Sequence, residues 1–306
     1  MDSSAVSTPR EVTARTPMLQ AERPVRRAQT LRRLIKNRAA LAGAIIVAIF
    51  VLLAIAAFFW TPYPADTPVL DKRLGSPSWQ HPLGNDDVGR DIFSRLIVGA
   101  RYSLFMGIVA VAISTVIGVP LGLIAGYRGK RWDTVVMRLV DVLMVLPTFV
   151  LAVAIVSVLG AGIASVIIAV AVTSVPVFAR LSRATTLTLR EQDFVAAARV
   201  VGARDSRILA SHILPNTLAP LVVQISLGVG TTILTASALG FLGLGVQPPT
   251  PEWGAMLSRG RTFISTAPHL VIFPGVAIAL LVTGFNLLGD GLRDAMDPRF
   301  KSMTDS

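Results

Sequence analysis

Cysteine is absent from the 306 residues, and charged residues make up only 15% of them. Without cysteine the chain has no disulfide, no thiolate metal site and no cysteine nucleophile. Histidine is also scarce, since the three histidines, His81, His212 and His269, lie too far apart in sequence to pair as metal ligands on one helix. We therefore expect no catalytic residue, no metal site and no bound cofactor.

Apolar residues, in contrast, are abundant: they form 53% of the chain, and the mean hydropathy is +0.64. Soluble domains are less apolar and contain about 25% charged residues, which argues against a water-soluble enzyme. Intrinsic disorder is excluded, because disordered segments have low hydrophobicity. The composition indicates a membrane protein.

Uncharged stretches long enough to cross a membrane, about 20 residues each, occur along the whole chain. The stretch 142–179 is nearly twice that length, and Gly-Ala-Gly at 160–162 predicts a tight turn that divides it. The fold class we predict is an all-α, polytopic membrane helix bundle with six transmembrane helices. The predicted spans are residues 41–60, 102–127, the two parts of 142–179, 218–244 and 262–289.

Lysine and arginine are distributed unevenly around these spans. With the N-terminus inside the cell, 22 of them lie on the cytoplasmic side and 7 on the outer side. Because cytoplasmic loops are enriched in basic residues, this asymmetry predicts that both termini are cytoplasmic. The same distribution explains the net charge of +11 without a nucleic-acid partner.

The predicted organisation has four parts. They are a basic cytoplasmic tail (1–38), a first span with an extracytoplasmic loop (39–100), a block of five spans (101–290) and a cytoplasmic C-terminal tail (291–306). Within the loop, the helical spacing of Ile92, Leu96 and Ile97 predicts an amphipathic interfacial helix, capped by Asn85.

Two kinds of membrane protein are disfavoured by what the spans and loops carry. An ion-coupled carrier holds ionisable groups inside the bilayer, and the best candidate here, Asp141, is expected to pair with Arg138 at the cytoplasmic end of a span. A membrane ATPase needs a phosphate-binding loop. The stretch 126–131 lacks the first glycine of that loop and has Arg131 at the magnesium-binding position.

The segment from about residue 183 to 216 is the most informative part of the sequence. Asp193 is expected to cap a short helix that closes at Val201, with Gly202 in the left-handed conformation. Asp205 is expected to cap a second helix that ends at Pro215. On these grounds alone, the segment is either a docking site for another protein or an ordinary loop that contains helices.

The segment resembles the EAA motif of binding-protein-dependent ABC transporter permeases: Glu-Ala-Ala, three residues, Gly, nine residues, Ile-x-Leu-Pro. The positions that match in register are Ala197, Ala198, Gly202, Leu214 and Pro215. Ala196 stands where the family has glutamate, and His212 where it has isoleucine. The resemblance implies an ATPase-coupling site formed by Ala196, Ala197, Ala198, Arg199, Gly202, Asp205, Leu214 and Pro215.

Residues 81–101, 242–254 and 291–299 are similar to further stretches of one group of these permeases, the C-type subunits of dipeptide, oligopeptide and nickel importers. The resemblance implies a type I ABC permease subunit, without an ATPase site of its own, in the cytoplasmic (inner) membrane of a prokaryote. Implied partners are a second homologous permease, two ATP-binding subunits, an extracytoplasmic solute-binding protein and membrane lipid. The implied solutes are peptides, or else nickel, glutathione or another small solute.

Overall fold

The structure is a computed structural model that describes residues 34–35 and 37–296. Regular structure in this part of the chain is helical, which confirms the all-α prediction. Most of the two predicted tails lies outside the described residues. The α-helices are α1 (Arg38–Ala56), α2 (Ile92–Arg128), α3 (Lys130–Val145), α4 (Thr148–Leu159), α5 (Ile163–Leu189), α6 (Asp193–Val200), α7 (Asp205–Ile208), α8 (Leu214–Phe241), α9 (Trp253–Gly260) and α10 (His269–Met296).

In the described ranges, five helical segments are long and apolar enough to cross a membrane, and α3 with α4 supplies a sixth crossing if the pair is counted as one. This pair stands where we predicted a third span in the first part of 142–179, but it starts earlier and bends by 88° between Val145 and Thr148. Pro147 explains the bend, since the residue before a proline is pushed out of the helical region. Leu146 is accordingly extended, with ψ of 144°.

The centre of the bundle is the contact between α2 and α5, where a row of glycines brings the two backbones together. Gly118, Gly122 and Gly126 recur every fourth residue on one face of α2. A Cβ on Gly122 would lie 2.2 Å from the backbone oxygen of Ala179, so only glycine permits this approach. Small residues at this spacing are typical of close helix pairs in membranes.

The first and last described helices also pack backbone to backbone. A Cβ on Gly43 of α1 would lie 2.7 Å from the carbonyl oxygen of Gly284 in α10. At one end of this pair, the Asn37 side chain accepts from the first amides of α1 and donates to Asp294 at 3.2 Å. The two ends of the described chain therefore meet at the same end of the bundle.

The loop before α2 corrects the prediction of a separate amphipathic helix capped by Asn85. Residues 85–90 are not helical, and α2 begins directly with Asp91 as its cap, which accepts from the Ser94 amide at 2.7 Å. Most of the charged residues of this stretch are buried, Asp86 and Arg90 among them. Asp86 accepts from the Arg90 side chain at 2.7 Å and from the Arg90 amide at 2.9 Å, so these two charges are paired inside the loop.

Helix α9 lies between α8 and α10 and is fixed by two buried residues. Glu252 caps it, accepting from the Gly254 and Ala255 amides at 2.8 Å each. Trp253 is fully buried and donates its indole N–H to the backbone oxygen of Leu96 at 3.1 Å. Because Glu252 is removed from water, its pKa is raised to about 7, although the two amide hydrogen bonds oppose this shift.

Candidate functional site

The segment between α5 and α8 forms two short helices, α6 and α7, as the sequence predicted, but neither is capped as expected. The cap of α6 is Gln192, and Asp193 is its first helical residue. The cap of α7 is Arg204, and Asp205 is its first residue. Neither cap accepts a side-chain hydrogen bond. The two aspartates favour the helix starts through their charge, since negative charge is stabilising near a helix N-terminus.

The turn between α6 and α7 has the geometry expected at Gly202. This residue has φ of +81°, in the left-handed region. Its amide donates to the Arg199 carbonyl at 2.9 Å, and the Ala203 amide donates to the Ala198 carbonyl at 3.0 Å. This pair of bonds is the Schellman arrangement, which closes a helix and sends the chain off at a fixed angle.

The second short helix does not end at Pro215, which corrects the sequence prediction. Helix α7 passes through a π-helical turn, Leu209–Ile213, and continues into α8. Pro215 lies directly after this turn, and because proline has no N–H to donate to the preceding turn, one backbone hydrogen bond is lost there without ending the helix. The candidate site is therefore attached to a membrane-spanning helix without an intervening loop.

Three aliphatic side chains hold the segment against the bundle. Val195 of α6, Ile208 of α7 and Ile213 of the π-helical turn are fully buried in the main hydrophobic core. Leu214 is half-buried against the same core. Burying an aliphatic side chain contributes about 1.5–3 kcal/mol, so these contacts hold both helices firmly.

The opposite side of the segment is exposed and includes apolar residues. Val200 and Val201 are 88% and 87% exposed. Ala196 and Ala197 are exposed beside them, and a Cβ on Gly202 would have no atom of the described residues within 4 Å, its two chain neighbours aside. We call this surface, formed by residues 196–202, the α6 tip. Exposed apolar residues in a cluster are typical of a protein interaction surface.

Arg199 and Asp205, two predicted site residues, both contact Tyr127, which the sequence did not single out. Tyr127, near the end of α2, donates its hydroxyl to Asp205 at 3.0 Å. The guanidinium of Arg199 lies 5.3 Å from the centre of the Tyr127 ring, within cation–π range. With Arg128 and Trp132 these side chains line an open groove of about 490 Å³.

Ion pairs fix α3 to α5 next to this groove. Asp133 and Arg183 form a two-point ion pair, with 2.6 Å between Nη2 and Oδ2. Asp141 pairs with Arg180 of α5 at 2.7 Å. The predicted pairing of Asp141 with Arg138 is therefore wrong. The spacing of residues along α3 could not reveal this partner, because it lies on another helix.

The predicted residues thus divide into two groups. Arg199 and Asp205 face the groove with Tyr127. Ala196, Ala197 and Gly202 lie on the exposed α6 tip, whereas Ala198 is half-buried. Of the two remaining residues, Leu214 packs on the core and Pro215 is exposed at the start of α8.

Comparison with known proteins decides the family. Residues 118–302 match the model of the binding-protein-dependent transport system inner membrane component, and residues 26–77 match the N-terminal transmembrane domain of oligopeptide transport permease C. The chain belongs to this permease family. It is therefore a multi-pass ABC-importer permease of a prokaryotic inner membrane, as the resemblance of the four sequence stretches implied.

Relatives of this permease match over most of its length. It is 49% identical over 276 residues, 90% of each chain, to the dipeptide transport system permease protein DppC of Alkalihalophilus pseudofirmus. It is 51% identical over 271 residues, 88% of this chain and 89% of the other, to the glutathione transport system permease protein GsiD of Escherichia coli. Both matches cover far more of this chain than its two terminal tails.

The fold has a solved counterpart as well. The inward-facing MetNI methionine ABC transporter contains a chain that superposes with a TM-score of 0.56 at 20% identity, covering 67% of this permease and 98% of that chain. At this identity the likeness establishes the fold alone. About a third of this permease therefore lies outside the superposed part.

Proposed function

We propose that this permease moves peptides into the cell and that ATP hydrolysis in two partner subunits drives it through the α6 tip. The observation that carries the proposal is the α6 tip itself. It is apolar and exposed, yet it is joined rigidly to α5 and α8. A force applied to it is transmitted to two membrane-spanning helices.

The tip has the shape that docking into another protein requires. Alanine and glycine side chains are small, so a partner's surface can approach the α6 backbone closely at residues 196–202. Val200 and Val201 supply apolar area, and Arg199 supplies a charge at the edge. An apolar centre with a polar rim is the usual composition of a protein interface.

The remaining partners follow from the family. Its description as binding-protein-dependent supports an extracytoplasmic protein that delivers the solute. A second, homologous permease would share the translocation path. We also propose that both termini are cytoplasmic, because basic residues are in excess on that side. The α6 tip and the groove at Tyr127 would then face the cytoplasm, where the ATPases are.

Dipeptides and glutathione are the two solutes that specific relatives support. DppC is a dipeptide permease and GsiD a glutathione permease, and their identities to this chain, 49% and 51%, do not separate them. Both solutes have a peptide-like backbone. We therefore propose small peptides as the solute class, with glutathione as the second candidate.

The test is reconstitution of the permease with its second permease, ATPases and binding protein in liposomes. We expect a labelled dipeptide to be taken up only with ATP, and the same dipeptide to stimulate ATP hydrolysis. The purified chain alone is expected to hydrolyse no ATP. Uptake driven by a proton or sodium gradient without the ATPases would contradict the proposal, and stimulation by glutathione but by no dipeptide would favour the second candidate.

A further inference from the structure

An apolar groove lies between α1, α2 and the start of α5, at the end of the bundle opposite the α6 tip. Its volume is about 400 Å³, and it opens toward the surroundings of the bundle. Its lining includes Val51, Ala54, Phe58, Arg101, Phe105 and Ile163. All of these but one are apolar, so the groove suits a hydrocarbon chain.

The exception, Arg101, lies in the groove without an anion of its own. Within residues 34–35 and 37–296, no carboxylate lies within ion-pair distance of it. Its guanidinium is held by a ring instead, 3.8 Å from the centre of Phe58. A half-buried arginine in apolar surroundings is costly unless a negative group reaches it.

The position of Arg101 in the membrane can be read from its neighbours. Phe58 follows the end of α1, and Trp60, 62% exposed, is two residues further along. Tryptophan is enriched at the level of lipid headgroups, and arginine side chains extend toward the phosphates at that level. These neighbours favour a position of the guanidinium at the level of the phospholipid phosphates.

We propose that this groove binds one phospholipid, with an acyl chain along the apolar wall and the phosphate on Arg101. The apolar lining suits an acyl chain, and the guanidinium of Arg101 suits the phosphate. In a bilayer the acyl chains lie in the hydrocarbon core and the phosphates at its surface. A helix of the second permease could cover the apolar wall of the groove, but it would bring no phosphate to Arg101. The inference depends on the chain spanning a membrane and not on the solute it moves.

The test is the number of phospholipids retained by the assembled importer. The complex is extracted from nanodiscs that contain phosphatidylglycerol, and bound lipids are counted by native mass spectrometry. We expect Arg101→Gln to lose one retained lipid and Arg101→Lys to keep most of it. Ala54→Phe, which fills the groove while leaving Arg101 in place, should lose the same lipid.

Arg261→Gln is the matched control, because Arg261 also lies over an aromatic ring, Phe241 at 5.6 Å, but outside the groove. It should keep the full lipid count. A wild-type count in both Arg101→Gln and Ala54→Phe would overturn the proposal, as would a density map of the complex with a protein helix in the groove. If Arg101→Gln fails to assemble, the comparison of Arg101→Lys with Ala54→Phe decides: equal, wild-type counts reject the site.

Discussion

The hydroxyl of Tyr127 donates to the carboxylate of Asp205 at 3.0 Å, and this bond ties the end of one membrane helix to the start of α7. The two residues are far apart in sequence, and the bond is a direct polar link between α2 and the proposed docking segment. It lies beside the groove that Arg199 also lines. A movement of the docking segment therefore has a route into α2.

Tyr127→Phe should weaken this link while keeping the ring. A hydrogen bond of this kind contributes about 1 kcal/mol, a factor of about five in an equilibrium. We expect solute-stimulated ATP hydrolysis in the reconstituted importer to fall several-fold, with normal membrane insertion. Tyr63→Phe is the control, because it removes an exposed hydroxyl that donates to the Gln80 backbone oxygen in the loop before α2. Equal effects of the two changes would show that the link to Asp205 is not used.

Gly202 allows backbone strain and surface bulk to be tested separately. Valine at φ of +81° is strained by about 1–2 kcal/mol, whereas asparagine tolerates this region. Apart from the two neighbouring residues, no atom of the described chain lies within 4 Å of the added Cβ, so either side chain would extend outward, toward the partner that we propose. We expect Gly202→Val and Gly202→Asn both to reduce ATPase recruitment, measured by co-purification.

Thr188→Val, on the exposed surface of α5, should leave recruitment unchanged. Full recruitment by Gly202→Asn together with loss in Gly202→Val would mean that only the turn geometry matters. Full recruitment and full uptake by both variants would remove the α6 tip from the coupling mechanism.

Two glycine-to-alanine changes should differ in their effect on thermal stability. At Gly122 the new Cβ would lie 2.0 Å from the Ser182 hydroxyl oxygen and 2.2 Å from the Ala179 carbonyl oxygen. Such overpacking costs about 1–3 kcal/mol. At Gly228 the nearest atom is a Val111 methyl carbon at 3.5 Å, an ordinary contact.

Gly228→Ala should therefore be neutral or stabilising by up to about 1 kcal/mol, from the higher helix propensity of alanine. The measurement is the melting temperature of each purified variant in the same detergent. Equal melting temperatures for Gly122→Ala and Gly228→Ala would contradict the close approach of α2 and α5.

Glu252 should make stability depend on pH. Its pKa is raised from 4.5 to about 7 in the folded protein by burial, so the folded state binds a proton more tightly than the unfolded state. The stabilisation from this proton is complete below about pH 4.5 and is lost as pH rises through about 7. The melting temperature should therefore fall between pH 5 and pH 8, and Glu252→Gln should reduce that fall. Glu191→Gln, at an exposed site, should not.

The orientation can be tested with two single cysteines, since the chain has none of its own. Ser76→Cys in the loop before α2 and Ser206→Cys in α7 are both exposed positions. An impermeant thiol reagent added to intact, outer-membrane-permeabilised cells should label the first and not the second. Labelling of Ser206→Cys alone would reverse the orientation and remove the α6 tip from the cytoplasm.

The sequence predicted the crossings and the Gly202 turn because both depend on local properties, apolar length and a glycine after a helix. It did not predict where polar side chains find their partners. Asp87, for example, binds Arg259 at 2.9 Å, 172 residues away. The spacing of charged residues before α2 resembled a solvated helix face, yet long-range pairing of this kind buries them. The bend at Pro147 was missed for a related reason, since a proline inside an apolar run is also compatible with a continuous helix, as at Pro120.

The packing of α1 on α10 has a consequence for biogenesis. Of the described helices, α1 is made first and α10 last, and Gly43 and Gly284 of this pair meet backbone to backbone. Before α10 is made, α1 has its contact with α2 and is otherwise exposed to lipid. Its composition suits this exposure, since its residues are almost all aliphatic, it has no charged side chain after Arg38, and only Ala40 and Gly43 are buried in the finished bundle. Arrival of α10 is thus the step that closes the chain into one unit.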